Sequence, residues 1–395
     1  MDKTEELLTR GVANIIPGKE ALRKLLESGT PLNVYLGIDP TATLIHLGNA
    51  VPLRKLQAFA ELGHNVTFLI GDFTALIGDT SDKDMERPIL TSEEIEKNFQ
   101  TYKFQAQKIL DFTKIQVRFN SEWLKELRFK EVIRLCQHFS AGDFISRELI
   151  KKRLTEGKKV GLHELLYPVM QGYDSFMMDT DIQIGGTDQT FNMQAGRTLI
   201  HDLKNKESFV IANAFLTGTD GRKMSKTWGN AIWITDAPNE MYGKVMSLND
   251  DLIIQYFTLG TGVTIEQVQA VEKRLGSGEN PMVAKKELAL RIVSELHSKD
   301  VAATAQKEFE TRFQKGHITQ ADLPTIPLSK LNRVGSILDT LVLSGIAVSY
   351  TAAKRLVEQK AVKVNSELVT SPKDQPKHKE GDIIQAGRKA VRIKK

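Results

Sequence analysis

"YLGIDPTATLIHLGN", residues 35–49, joins a strand-like run, "LNVYLGI" (32–38), to a helical one, "HLGNAVPLRKLQAFAEL" (46–62). A second strand-like run, "NVTFLIGD" (65–72), follows at once. Gly37 lets a ligand approach the backbone closely, and Pro40 ends the strand. His46, Gly48 and Asn49 fall in the first turn of the helix, where backbone N–H groups and the positive dipole end make an anion site. The His46 ring and the Asn49 amide can each donate a hydrogen bond to a phosphate oxygen. A histidine at a helix start can equally be a plain cap or a packed residue, and this stretch alone does not choose. The G-x-G-x-x-G and Walker A patterns are both absent, which disfavours ordinary dehydrogenases and P-loop NTPases.

The alternation continues outward. "IQVRFN" (115–120), "DIQIGG" (181–186) and "SFVIANAF" (208–215) read as strands, and "DQTFNMQAGRTLI" (188–200) as a helix. This pattern predicts an α/β fold, a Rossmann-like parallel sheet covered by helices, with its ligand beyond the C-terminal strand ends. A helical stretch over about 92–178 interrupts it as an insertion would, within a catalytic domain spanning 1–230. Residues 231–315 read as an all-helical domain, with Asp236 and Asn249 at N-cap positions. Residues 316–330, with Pro324 and Pro327, read as a linker. Two short helices and short strands then make a small α+β domain over 331–395.

Composition narrows the class. The 395 residues are 41% hydrophobic and 26% charged, as in a soluble globular protein of two or three domains. No apolar run approaches the roughly 20 residues of a membrane span. The start "MDKTEELLTRGVANII" lacks the basic and apolar segments of a signal peptide, so a cytoplasmic location is expected, with no membrane partner. The lone Cys136 excludes a disulfide framework, and eight scattered histidines without HExxH predict no metal site. The charge is uneven. Residues 331–395 hold 13 Lys and Arg against 6 Asp and Glu, a net of +7. That leaves 41 against 43, a net of −2, for residues 1–330. A basic tail of domain size on a neutral body suits nucleic acid or an acidic surface.

A second motif, "GTDGRKMSKTWGN" (218–230), carries Lys223 and Lys226 between Gly218, Gly221 and Gly229. As a lone feature it is a solvated turn. Paired with "HLGN" some 175 residues earlier, "KMSKT" resembles the second of the two signatures of class I aminoacyl-tRNA synthetases, HIGH and KMSKS. "YLGIDPTA", "LIGDTSDKDMER", "YPVMQGYD" and "QIGGTDQ" narrow the resemblance to bacterial tyrosyl-tRNA synthetases, over essentially the whole chain.

The resemblance implies a ligase that activates L-tyrosine with ATP, accompanied by Mg2+, and transfers it to tRNA(Tyr). It implies catalytic roles for Thr41, His46, Asn49, Lys83, Arg87, Lys223, Lys226 and Thr227. Tyr35 and Asp174 would hold the substrate phenol, and Asp79, Tyr167 and Gln171 its ammonium group. Gly37, Asp39, His46, Gly48, Gly186, Asp188, Gln189 and Lys226 would line the ATP and adenylate site. It implies a homodimer formed through the 92–178 insertion. It also implies RNA binding by the C-terminal domain, for which Arg333, Lys354, Arg355, Lys360 and Lys363 are the candidates. Asn49 and Thr227 depart from the last residues of the two signatures, yet keep a donor and a hydroxyl.

The residue chemistry runs alongside. Tyr167, Gln171 and Asp174 fall at i, i+4 and i+7 of a predicted helix, hence on one face. Buried, three such groups need partners; exposed, they are an ordinary polar face. In "QIGGTDQ" the Gly pair gives a tight turn, and Asp188 suits either a ribose or a helix cap. The rivals are a tryptophanyl-type synthetase, another adenylyltransferase of the HIGH superfamily, or an RNA-binding paralogue with a decayed site.

Overall fold

The computed structural model describes residues 2–41, 43–78, 91–225, 228–311, 323–331, 335–365, 367–386 and 389–394. The chain forms two compact units, Met1–Gln306 and Lys307–Lys395.

The first unit is built on a six-stranded sheet: β1 (Val12–Ile16), β2 (Asn33–Ile38), β3 (Asn65–Ile70), β4 (Ile115–Phe119), β5 (Ile182–Gly186) and β6 (Phe209–Asn213). Its order is β1-β6-β5-β2-β3-β4. Five strands are parallel; β1, which the sequence reading did not separate from its amphipathic surroundings, pairs antiparallel with β6 at the edge. Central strands read as apolar runs because both faces are covered: every residue of β6 is buried. Three helices carry the residues of interest, α1 (Leu47–Glu61), α2 (Leu162–Met177) and α3 (Thr190–Lys204). Helices α2 and α3 meet at Gly172, where an added Cβ would lie 3.1 Å from the Ala195 backbone. An alanine there would need the neighbouring helix to give by a few tenths of an ångström.

The helices between Pro238 and Phe309 largely join this unit, where a separate domain was expected. Long cations stitch them to the sheet region. Arg10 donates to the Thr258, Thr261 and Val263 carbonyls, Lys108 to those of Ile234 and Leu296, and Arg54 pairs with Glu295 at 2.8 Å. No such link is legible locally. Asp236 is not the cap of the helix Pro238–Met246, whose N-cap is Ala237 and whose first residue is the proline. Its carboxylate instead accepts from the Trp233 N–H and Lys244, both at 2.8 Å. Asn249 does precede a turn, Asp250–Leu252, without a side-chain cap bond. No helix among the described residues is long and apolar enough to cross a membrane.

The second unit holds a five-stranded sheet of order β7-β11-β10-β8-β9. Its strands are β7 (Thr325–Pro327), β8 (Val362–Val364), β9 (Glu367–Leu368), β10 (Ile383–Ala386) and β11 (Lys389–Lys394). Helices α4 (Ile337–Leu343) and α5 (Tyr350–Glu358) close a core that includes Ile337, Leu341, Ala353, Val357, Ile384 and Ile393. The expected linker 316–330 therefore gives part of itself to this sheet: β7 lies parallel to β11 at its edge. Proline at Pro327 is tolerated there because an edge strand need not donate on both sides.

Candidate active site

The C-terminal ends of β2, β3, β4 and β5 and one face of α2 enclose a cavity of about 260 Å³. Tyr35, Gly37, Asp39, Thr41, Asn49, Tyr167, Gln171, Asp174 and Gln189 all line it, so the candidates drawn from four separate stretches converge. The three polar residues of α2 are one face, as their spacing predicts, and that face turns inward: Tyr167 is 7% and Asp174 3% exposed. A larger cavity, about 620 Å³, lies among Arg10, Arg54, Lys55 and Lys108 and contains none of the motif residues.

At the deep end each polar group is held by neighbours. The Tyr35 hydroxyl lies 2.8 Å from Ser175 Oγ and donates to Gln183 Oε1 at 3.1 Å. Asp174 accepts from Trp123 Nε1 at 2.7 Å and Asn120 Nδ2 at 3.2 Å. Burial pushes the Asp174 carboxyl up to about 8 despite those two donors, and the negative charges of Asp39 and Asp72 add to the rise. Burial likewise raises the Tyr35 phenol far above its ordinary value, with the Asp174 charge contributing. The network continues toward the mouth. Asn120 donates to Thr74 Oγ1 at 3.0 Å, Thr74 to Asp39 at 2.8 Å, and Tyr167 to the other oxygen of Asp39 at 2.9 Å.

Thr74, Asn120, Trp123, Ser175 and Gln183 were not singled out from the sequence. Two of them had a signal. Asn120 directly follows β4 and Thr74 lies just beyond β3, the positions where an open α/β sheet gathers ligand-binding groups. Gly71, after β3, is required by packing, since an added Cβ would collide with Asp39 and Thr74.

At the shallow end His46 is the N-cap of α1. Its Nδ1 accepts the Asn49 N–H at 3.2 Å while the Asn49 carboxamide accepts the His46 N–H at 3.3 Å. This reciprocal cap gives Asn49 a local function that its departure from the usual histidine left open. Burial lowers the His46 ring to about 4, and the nearby Lys223 charge lowers it further. The ring is therefore neutral, and with Nδ1 accepting, its proton resides on Nε2. The first-turn anion site differs from expectation. The Leu47 N–H bonds the Ile232 carbonyl at 2.9 Å and the Asn49 N–H bonds His46, so backbone donors there are largely committed. Donation from this end falls to side chains. Gly48 packs beneath the ring, where a Cβ would sit 3.0 Å from His46 Nδ1.

The histidine motif meets the segment that follows the lysine motif through its backbone. Residues after the lysine loop run antiparallel to those before α1: His46 bridges Trp233, and the Ile234 N–H bonds the Ile45 carbonyl at 3.0 Å. The His46 and Trp233 rings lie 5.7 Å apart. The described part of the loop is a hairpin, with Thr217 bridging Lys223 and Gly221 at φ +84° in the turn. Asn230, 3% exposed, locks it. Its amide donates to Asp220 at 2.8 Å and to the Lys223 carbonyl at 3.1 Å, and its oxygen accepts the Ser225 N–H at 2.8 Å. Gly218 passes too close to Asn230 for any Cβ. The glycine-bounded loop, by its sequence alone a solvated turn, is thus pinned up to Ser225.

Gly186 and Asp188 stand in the turn between β5 and α3, where a Cβ on Gly186 would meet the Asp188 carboxylate at 2.5 Å. The N-cap position of α3 is Gln189, and Asp188 precedes it in the turn. Asp79, Lys83, Arg87, Lys226, Thr227 and Arg333 lie outside the described residues. Lys354 and Arg355 project from α5, Lys360 follows it and Lys363 is in β8; all four are exposed. Among the described residues no group of three or more His, Cys, Asp or Glu could hold a metal ion.

Residues 27–314 match the family described as tRNA synthetases class I (W and Y), and residues 338–384 match the S4 domain. The chain is 42% identical over 388 residues to a tyrosine--tRNA ligase of Moorella thermoacetica, covering 97% of this chain and 93% of that one. It is 40% identical over 390 residues to a tyrosine--tRNA ligase of Dehalococcoides mccartyi, covering 98% and 97%. A C-terminally truncated mitochondrial tyrosyl-tRNA synthetase of Aspergillus nidulans shares the fold at TM-score 0.68 and 22% identity, over 79% of this chain and 94% of that one. The tyrosyl-tRNA synthetase of Archaeoglobus fulgidus, solved with L-tyrosine, shares it at TM-score 0.61 and 22% identity, over 78% and 100%.

Proposed function

Since the chain belongs to the class I tRNA synthetases of the W and Y family, and within it to the tyrosine--tRNA ligases, we propose how its residues divide the reaction. The enzyme activates tyrosine with ATP and transfers it to the 3′ end of tRNA(Tyr). In the first step a carboxylate oxygen of tyrosine bonds the α-phosphorus of ATP, the bond to the bridging oxygen breaks, and pyrophosphate leaves. In the second a terminal ribose hydroxyl of tRNA attacks the carbonyl carbon, and AMP leaves. Neither step needs an enzyme nucleophile; the protein positions the reactants and stabilises charge.

Tyr35 and Asp174 take the phenol hydroxyl, and Gln171 and Tyr167, with Asp79, the ammonium group. Asp39, Gly37 and Gly186 line the adenylate, and Asp188 and Gln189 its ribose. The neutral His46 donates through Nε2 to a phosphate oxygen. Asn49 and Gly48 set that ring, and Thr41 and Lys223, with Lys83, Arg87, Lys226 and Thr227, meet the pyrophosphate. ATP enters as its magnesium complex, the metal arriving with the substrate. The observation that carries this assignment is one cavity with a buried Tyr35–Asp174 end, continued by Asp39, Thr41 and Asn49, the last held in a reciprocal cap with the neutral His46.

Exchange of labelled pyrophosphate into ATP, with tyrosine, phenylalanine and tryptophan in parallel, tests it. Exchange with tyrosine alone is expected. Exchange with tryptophan would assign the pocket to the other branch, and none at all would leave a decayed RNA-binding paralogue.

The S4-type unit, with exposed Lys354, Arg355, Lys360 and Lys363 and with Arg333, supplies phosphate contacts to tRNA. A chain ending at residue 311 keeps the helix Lys299–Phe309 whole. It is expected to retain pyrophosphate exchange and lose tRNA charging; equal loss of both would make the unit structural. A homodimer through the 92–178 region is supported by Phe129, 81% exposed, and Leu162, 73% exposed, large apolar groups without a packing role in the single chain. Sedimentation velocity should give twice the 44.2 kDa chain mass. The cytoplasm, where tRNA is charged, is the location this activity implies, and cell fractionation checks it.

A further inference from the structure

The C-terminal unit exposes apolar surface at the start of α5, one turn before Lys354 and Arg355. Val348 is 89% and Tyr350 55% exposed, on either side of Ser349, which caps α5 by accepting the Ala352 N–H at 3.2 Å. A hydrophobic residue just before an N-cap ordinarily folds onto the fourth helical residue, here Ala353. Ala353 is fully buried, yet Val348 stays in solvent. Tyr350 is not a loose side chain. Its hydroxyl donates to Asp339 Oδ1 at 2.7 Å, and the other oxygen of Asp339 accepts from Ser336 Oγ at 2.7 Å. The ring is thereby tied to the first turn of α4 while it projects from the first turn of α5. Lys354 follows at i+4 on the same face of α5, itself exposed.

We propose that the Tyr350 ring, flanked by Val348 and Lys354, is a stacking platform for an unpaired base of the tRNA. The proposal rests on the reading that this unit binds RNA, and it names the residue that does more than neutralise phosphate. An aromatic face accepts any base, and a ring already fixed by Asp339 loses little freedom on binding. The occupant is a nucleobase rather than an apolar protein surface because the platform sits in a segment with 13 Lys and Arg against 6 Asp and Glu. Lys354 supplies the adjoining phosphate contact. Neither residue lines the catalytic cavity.

The test is the affinity of the full-length enzyme for a tRNA(Tyr) transcript, measured across salt concentrations, in Tyr350→Leu, Tyr350→Phe and Lys354→Ala. Leucine keeps apolar bulk without a π face, and Tyr350 is too exposed for its loss to unfold the unit. Tyr350→Leu should weaken binding roughly tenfold with an unchanged salt slope, and Tyr350→Phe should stay near wild type. Lys354→Ala should lower the salt slope by about one phosphate contact. Wild-type affinity in Tyr350→Leu overturns the platform, as do equal losses in Leu and Phe, which would assign the effect to the Asp339 bond. A different result separates the underlying reading: if a chain ending at residue 311 binds the transcript as tightly as the full chain, the RNA-binding role of the whole unit falls, and the platform with it.

Discussion

The two ends of the cleft are built on opposite principles. At the end proposed to take the phenol, Tyr35 and Asp174 sit in the core on a central strand and a packed helix, and each is fixed by two further side chains. At the end proposed to meet the phosphates, Lys223 rides on a surface hairpin whose described part depends on one buried side chain, Asn230. Recognition of a ground state rewards rigidity, because an unmet hydrogen bond in a dry pocket is what rejects the wrong amino acid. Charge that grows only as pyrophosphate leaves rewards cations placed where they meet the transition state more strongly than the substrate. The contrast predicts that variants at one end change affinity and those at the other change rate.

The largest effect is expected at the phosphate end. Under the proposed roles, His46→Ala and Lys223→Ala should each slow adenylate formation by about 10²–10³, the usual loss for one such donor, with tyrosine dissociation little changed. Pre-steady-state fluorescence with separate tyrosine titration reads both quantities. Comparable weakening of tyrosine binding would erase the contrast.

At the proposed phenol end, Asp174→Ala leaves Trp123 Nε1 without its acceptor, takes from Asn120 Nδ2 one of its two, and under the proposed role removes a partner of the substrate hydroxyl. Tyrosine affinity should fall roughly 10–100-fold, the range for stranded buried donors, while the step after saturation slows less. Equilibrium dialysis decides it: retained affinity with a collapsed rate would move Asp174 out of the recognition role.

Asn230 gives a smaller and sharper test. If its three hydrogen bonds act by holding the Lys223 hairpin, Asn230→Ala should slow adenylate formation about tenfold, roughly the worth of one or two such bonds. Added to Lys223→Ala it should cost little more, because both changes remove one interaction. Full additivity would mean that Asn230 stabilises the fold and not the hairpin.

Much of this was legible in the chain, and the pattern of what was not is physical. The 35–49 stretch carries a strand, a break and a helix start in local chemistry, and the α2 triad declares its face by spacing alone. What no local rule gives is the partner. Nothing near Asn230 says that it reaches Lys223 and Asp220, and nothing in "RFNSEW" says that Asn120 and Trp123 converge on Asp174 from another element. Arg10 and Lys108 fasten the helical region to the sheet across some 250 and 190 residues of chain, links that no local composition announces. The strand at Thr325–Pro327 was hidden by Pro324 before it and Pro327 at its end, which read as a linker because edge pairing is not a sequence property.

The smallest effect probes how dry the phenol end is. Folding raises the Asp174 carboxyl from an ordinary 3.8 to about 8, chiefly by burial. The folded chain therefore keeps a proton that the unfolded chain releases, and this contribution to stability is complete below the unfolded value and lost as pH climbs through about 8. Asp39 and Asp72 face the same group and oppose its ionisation, so they act in the same direction. Asp174→Asn carries no proton to lose. Its unfolding temperature, relative to wild type, should rise steadily between pH 5 and pH 9 even if a lost hydrogen bond lowers it at every pH. Parallel curves would mean that the carboxylate is already charged and solvated at neutral pH. The deep end would then be as wet as the hairpin, and rigidity alone would separate the two regions.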